Sequence, residues 1–121
     1  MEDIYKFLEE HGFKDITEAE PIKFSECIPV TFDNIYCLHK RFKRYKNGIT
    51  TKLLIGNVHN CVQIIIDSYF NGYWNRCFID SSNKVIINML PSYIKANETK
   101  LKTEYENSIN HSFDNRLAKI N

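Results

Sequence analysis

The segment CVQIIIDSYFNGYWNRCFID, residues 61–80, consists of two runs of β-branched and aromatic residues joined by Asn71-Gly72. Both residues of an Asn-Gly pair tolerate positive φ, and this dipeptide between apolar runs is the strongest short-range signal for a hairpin. A two-residue turn also sets the register, so that Phe70 lies opposite Tyr73. The segment therefore predicts an antiparallel hairpin whose facing partners can be named.

This register divides the hairpin into two faces. The apolar face is expected to be core and carries Val62, Ile64, Ile66, Phe70, Tyr73, Cys77 and Ile79. On the other face Asp67 lies opposite Arg76 and Tyr69 opposite Trp74, and such cross-strand pairs stabilise a sheet by about 0.2–1 kcal/mol each. Tyr69 and Trp74 are either covered by a terminal helix or exposed in an interface, where Tyr, Trp and Arg contribute most of the binding energy.

The segment HKRFKRYKNGITTKLLIG, residues 39–56, contains a second Asn-Gly pair and predicts a second hairpin, with Lys46 opposite Ile49. Its core face carries Tyr36, Leu38, Phe42, Ile49, Leu53 and Ile55. Its other face is a basic strip of His39, Arg41, Lys43, Tyr45, Thr50 and Lys52. Lys40 and Arg44 fall on the apolar side, and we expect their long side chains to reach past its rim to water.

The flanking segments have helical periodicity. Ile4, Phe7 and Leu8 recur at helical spacing before Gly12, which predicts a helix over residues 2–11. After Pro91 the apolar positions step by three or four, which predicts a long amphipathic helix over about residues 96–119. Between the helices, the two hairpins, an NVHN link and a DSSN turn at residues 80–83 predict an antiparallel β-meander of about five strands, with a further strand near residues 22–32 left open. The fold class is therefore α+β.

Composition limits the class of protein. A chain of 121 residues with 43% hydrophobic content and three prolines is typical of one packed domain, residues 1–121. Its first residues are acidic where a secretory signal is basic, and no window approaches a membrane span. We expect a cytoplasmic protein without a membrane partner.

The residues that could carry chemistry do not form a recognised motif. Cys37 and His39, with His59 and Cys61, resemble two halves of a zinc site, but the hairpin register places the pairs on opposite faces. Glycine-rich phosphate loops are absent, and no signature surrounds a cysteine nucleophile. The sequence therefore predicts no metal, no cofactor and no catalytic residue, and it favours a binding protein over an enzyme.

Charge is segregated along the chain. Residues 1–33 carry nine acids and three bases, whereas residues 34–56 carry six bases and no acid. An acidic block can steer a protein toward a basic partner. The favoured interpretation is a small protein-binding module, an inhibitor or immunity-type protein that neutralises a basic partner such as a toxin nuclease. Its predicted contact residues are Glu9, Glu10, Asp15, Glu18, Glu20, Tyr69 and Trp74.

Two alternatives remain open from the sequence. A nucleic-acid-binding protein would use the basic hairpin, through His39, Arg41, Lys43, Tyr45 and Lys52, because phosphate contacts need cations and base stacking needs an aromatic ring. A small enzyme would instead use a cavity between the sheet and the C-terminal helix, with Asp67, His59 or a tyrosine as its polar group.

Overall fold

The computed structural model describes residues 2–21, 38–58 and 61–120. Its elements are α1 (Glu2–Glu10), β1 (Lys14–Asp15), β2 (Leu38–Lys46), β3 (Ile49–Val58), β4 (Cys61–Phe70), β5 (Tyr73–Ser82) and α2 (Asn83–Ile120). The strands form one antiparallel sheet in the order β1-β2-β3-β4-β5. This confirms the predicted α+β class, with a five-stranded meander between a short and a long helix. The strand considered near residues 22–32 lies outside the described residues.

Both Asn-Gly turns have the backbone geometry that their sequence predicts. The φ angles are 54° at Asn47 and 79° at Gly48, and 47° at Asn71 and 85° at Gly72. Two successive residues with positive φ make a hairpin turn whose twist matches that of its strands. The predicted registers are confirmed, because Phe42 faces Leu53 in the first hairpin and Tyr69 faces Trp74 in the second.

Both helices pack on the same face of the sheet. Ile4 and Leu8 of α1, and Ile86, Leu90 and Ile94 of α2, form one core cluster with the apolar side chains of β2 to β5. Phe42, Leu53, Ile55, Ile64 and Ile66 in this cluster have no exposed surface. The predicted core face is confirmed for the centre of the sheet, while Tyr73 near the second turn is 39% exposed. The opposite face of the sheet carries neither helix.

The C-terminal helix begins earlier than its sequence predicts. The sequence predicts the start of this helix near residue 96, but residues 83–90 form the first turns of α2, and Pro91 lies inside the helix. Ile86, Leu90 and Ile94 step by four and are all buried. Proline removes one backbone hydrogen bond from a helix interior. Pro91 is exposed, and burial of the apolar residues on both sides of it offsets that loss.

A row of polar side chains crosses the core face beneath α2. Thr51 and Ser68 have no exposed surface and Asn97 is 3% exposed. The Asn97 amide donates to Ser68 Oγ at 2.9 Å, the Ser68 and Thr51 hydroxyls are 3.0 Å apart, and Thr51 donates to Glu98 Oε2 at 2.6 Å. The chain of donors ends at a carboxylate, so each hydroxyl has a defined role as donor and acceptor.

Arg44 completes this row from β2. Its Nη2 atom lies 3.0 and 3.2 Å from the two oxygens of Glu98, and its side chain is only 11% exposed. Arg44 was expected to reach past the rim of the core to water, and that expectation is wrong. The Glu98 carboxylate supplies the charge partner that a buried guanidinium needs.

Substitution of Thr51, and of its neighbour Thr50 as the matched control, tests the strand register that places Thr51 in the core. Thr51→Val removes the hydroxyl that links Ser68 to Glu98, and leaving buried polar groups without a partner is expected to reduce the free energy of unfolding by about 1–3 kcal/mol. Thr50→Val alters the opposite face of the sheet and is expected to change the free energy of unfolding by about 0.5 kcal/mol or less. Urea denaturation measures both. Equal losses, or a larger loss at Thr50, would contradict the register.

Candidate binding surface

The face without helices carries a row of exposed aromatic side chains. Tyr45 on β2 pairs with Thr50, Thr50 pairs with Tyr69, and Tyr69 pairs with Trp74 on β5. We call Tyr45, Tyr69 and Trp74 the aromatic row. They are 73%, 42% and 57% exposed, respectively. Burial in a core therefore does not account for these three large side chains, and neither helix covers Tyr69 and Trp74.

A charged row lies next to the aromatic row, one pleat further along the strands. It contains Lys43, Lys52, Asp67 and Arg76, which pair in that order across β2 to β5. The Arg76 guanidinium donates to both oxygens of Asp67, at 2.7 and 3.1 Å, and lies 5.7 Å from the centre of the Trp74 ring. Arg76 is therefore held against Trp74 by a bidentate ion pair.

A third row changes from buried to exposed across the sheet. Leu54 and Ile65 are 7% and 5% exposed, whereas Phe78 on β5 is 38% exposed. A shallow depression of about 140 Å³ lies between the second and third rows and reaches Tyr69. Together with Trp74, Phe78 adds apolar area on β5, the last strand of the sheet.

Two of the predicted acidic contact residues lie on the other side of the sheet from the aromatic row. Glu9 and Glu10 are exposed on α1, which packs on the opposite face of the sheet. Glu18 is exposed in the segment after β1. The structure therefore separates Glu9 and Glu10 from Tyr69 and Trp74, although all four were predicted as contacts of one partner.

The two remaining predicted acids bind cations of the same chain. Asp15 accepts hydrogen bonds from the Thr17 hydroxyl at 2.6 Å and from Lys40 Nζ at 2.9 Å, and these contacts lower the pKa of its carboxyl group to about 2. Glu20 lies 3.0 Å from Lys52 Nζ, and this hydrogen bond lowers the pKa of Glu20. Asp15 therefore neutralises Lys40 at the β1–β2 edge of the sheet, whereas Glu20 neutralises Lys52 of β3, on the face that carries the aromatic row.

The predicted basic strip lies on the same face as the aromatic row. Arg41, Lys43 and Lys52 alternate with the core positions as expected, and Arg41 Nε donates to the Glu20 carbonyl at 3.1 Å. His39 falls where the β2–β3 register shifts, and its side chain lies outside the described residues. The two hairpin registers alone do not place Tyr45 in one row with Tyr69 and Trp74, because that row depends on the pairing of β3 with β4.

The zinc alternative involves residues that the structure describes only in part. Among the described residues, no group of three or more His, Cys, Asp or Glu side chains could hold a metal ion. Cys37 and His59 lie outside them, so the sequence-based argument against zinc stays a prediction. The described helices also include none long and apolar enough to cross a bilayer.

Comparison with known proteins does not extend this description. No protein-family model, curated protein sequence or solved structure matches the chain. The sheet face and its side chains are therefore the basis for any functional interpretation.

Trp74 is the only tryptophan of the chain, so its fluorescence reports directly on the aromatic row. In the free protein we expect acrylamide to quench Trp74 efficiently, because the side chain is 57% exposed. Trp74→Ala is expected to lower the free energy of unfolding by about 1 kcal/mol or less, whereas Phe42→Ala, in the core, should lower it by about 3–5 kcal/mol. A shielded Trp74, or a loss as large as that of Phe42→Ala, would contradict this exposure.

Proposed function

We propose that this chain is a protein-binding module and that the aromatic row is the centre of its contact surface. The observation that carries the proposal is the exposure of Trp74 and Tyr69, which are 57% and 42% exposed side by side on paired strands. Trp, Tyr and Arg are the residues most enriched among binding hot spots. Arg76 lies against Trp74, so all three types are present in one patch.

The strands make this patch suitable for binding. Tyr45, Tyr69 and Trp74 project from β2, β4 and β5 of one sheet, whose other face is packed in the core. Side chains held on such a scaffold lose little conformational freedom when a partner binds, and this preorganisation raises affinity. The ion pair between Arg76 and Asp67 restrains the guanidinium in the same way.

The charges on this face favour a protein partner over a nucleic acid. Lys52 is bound to Glu20 and Arg76 to Asp67. A phosphate backbone would have to compete with these carboxylates for both cations, and it would meet the negative charges of Asp67 and Glu20. A protein surface can use the aromatic rings while it leaves both ion pairs intact.

The finer role that we propose is neutralisation of a basic protein, as in an inhibitor or immunity-type protein. Glu9, Glu10 and Glu18 are exposed and could attract such a partner. A partner that touches both these acids and Tyr45 would have to extend over the β1–β2 edge. This part of the proposal depends on charge, whereas the contact surface depends on the aromatic row.

A second candidate function is binding of single-stranded nucleic acid. The observation that favours it is the alignment of three exposed rings beside the basic strip, because bases stack on aromatic side chains while cations contact the phosphates. Lys43 lies one pleat from Tyr45 and is exposed. The two candidates differ in which ligand protects Trp74.

The test uses a protein that co-purifies with the chain or is encoded beside it. Trp74→Ala is expected to weaken that complex by about 2 kcal/mol or more, mainly through a faster dissociation rate. Tyr93→Ala, which removes a ring that is 38% exposed on α2, is the matched control and should leave the rate unchanged. Surface plasmon resonance measures both rates.

Charge reversal tests the neutralisation of a basic partner independently of the aromatic row. Replacing Glu9, Glu10 and Glu18 by Lys is expected to slow association with a basic partner at low salt and to leave dissociation unchanged. If association is unaffected, the acids do not steer the partner. If single-stranded oligonucleotides quench Trp74 with salt-sensitive affinity and no protein depends on Trp74, nucleic-acid binding replaces the protein-binding proposal.

A further inference from the structure

An open cleft of about 370 Å³ lies on the helix side of the molecule, away from the aromatic row. Its walls come from the end of α1, the β2–β3 turn and the part of α2 between Pro91 and Lys102. Three separate elements therefore meet at this cleft. Its volume lies within the range of natural small-molecule sites.

The polar lining of the cleft is mainly cationic. Arg44 and Lys46 contribute from β2, and Lys95 and Lys102 from α2. Glu98 is the one acid that lines the cleft, and His11 lines it from the end of α1. Four basic side chains thus face one carboxylate, so the local potential favours an anion.

The single carboxylate does not neutralise the surrounding lysines, because its oxygens are already bound. Arg44 Nη2 lies 3.0 and 3.2 Å from these oxygens, and Thr51 donates to Oε2 at 2.6 Å. Lys46 and Lys95 are exposed, and none of the salt bridges of the described residues involves Lys46, Lys95 or Lys102. The charge of the lysines is therefore available to a ligand.

The Arg44 guanidinium is held at the cleft by groups of the chain itself. Its Nε atom is buried and has no hydrogen-bond partner among the described residues, although its Nη1 donates to the His11 carbonyl at 3.2 Å. Buried N–H groups nearly always have an acceptor, but this guanidinium also lies 4.5 Å from the centre of the Phe13 ring, whose face attracts a cation. The cations of the cleft that are left for a ligand are therefore the lysines.

The same cleft has an apolar wall. Ile49 and Ile94 are 4% and 5% exposed, and Phe7 and Pro91 complete this side of the lining. Phe7 is half-buried and Pro91 is exposed, so a purely inorganic anion would leave the accessible parts of these two side chains uncovered. A ligand with a hydrocarbon body would pack against them while its charged end met the lysines.

We propose that this cleft binds a small organic anion, with an aromatic or aliphatic body and one phosphate or carboxylate group. The body packs against Phe7 and Pro91, and the anionic group lies between Lys46 and Lys95. This site is separate from the aromatic row, and it does not depend on the protein-binding proposal.

Titration of the ¹⁵N-labelled protein with phenyl phosphate and with benzoate tests the proposal by NMR. We expect saturable shifts of α2 and β2–β3 turn amides with a Kd of about 1 mM or below for at least one of the two. Trp74 fluorescence should not change, which distinguishes this site from the aromatic row.

Matched variants assign the binding to the cleft. The double variant Lys46→Ala and Lys95→Ala should weaken binding at least about fivefold, since it removes two charge-assisted contacts. The control variant Lys84→Ala and Lys100→Ala removes two exposed lysines of α2 that do not line the cleft and should bind as the native protein does.

Three outcomes would overturn the proposal. They are the absence of shifts at the cleft, equal binding of neutral benzyl alcohol, and equal binding of inorganic phosphate. The second would mean that the lysines are not used, and the third that the apolar wall contributes nothing.

Discussion

The register imposed by the two Asn-Gly turns is the constraint on which the other features depend. Side chains alternate between the faces of a strand, so a slip of one residue would exchange the two faces completely. With the turns at Asn47-Gly48 and Asn71-Gly72, Phe42, Leu53 and Ile66 face the helices. Tyr45, Tyr69 and Trp74 face away from them. The division between core and contact surface therefore follows from two dipeptides and the pairing of β3 with β4.

The buried polar row explains how α2 is positioned on the core face. Apolar burial holds a helix against a sheet but is not directional, whereas Asn97 and Glu98 must align with Ser68, Thr51 and Arg44 to be satisfied. Such networks favour one arrangement, because a shift of the helix would leave their buried members without partners. The row places α2 over β4 and β5 and brings Lys95 and Lys102 to the edge of the cleft. One set of contacts thus orients the helix and shapes the small-molecule site.

The sequence predicts what is local and leaves out what depends on tertiary pairing. Both hairpin registers could be derived, because a two-residue turn determines them. The start of α2 could not be derived in this way. Val85 and Ile87 have the β-branched side chains that are typical of a strand, and Pro91 resembles a residue at the start of a helix. Tyr45 and Tyr69 lie in one row because β3 pairs with β4, and no Asn-Gly turn in the sequence determines the register of that pair. The acidic block was apparent as composition, but only the fold shows that Asp15 and Glu20 bind Lys40 and Lys52.

The central claim is that a protein partner covers the aromatic row, and hydroxyl-radical footprinting of the complex tests it most directly. The method reports the solvent accessibility of each aromatic side chain in the free and bound protein. We expect partner binding to protect Tyr45, Tyr69 and Trp74 while Tyr93 on α2 stays as reactive as in the free protein. Protection confined to the helices, with the three rings of the aromatic row unchanged, would contradict the claim.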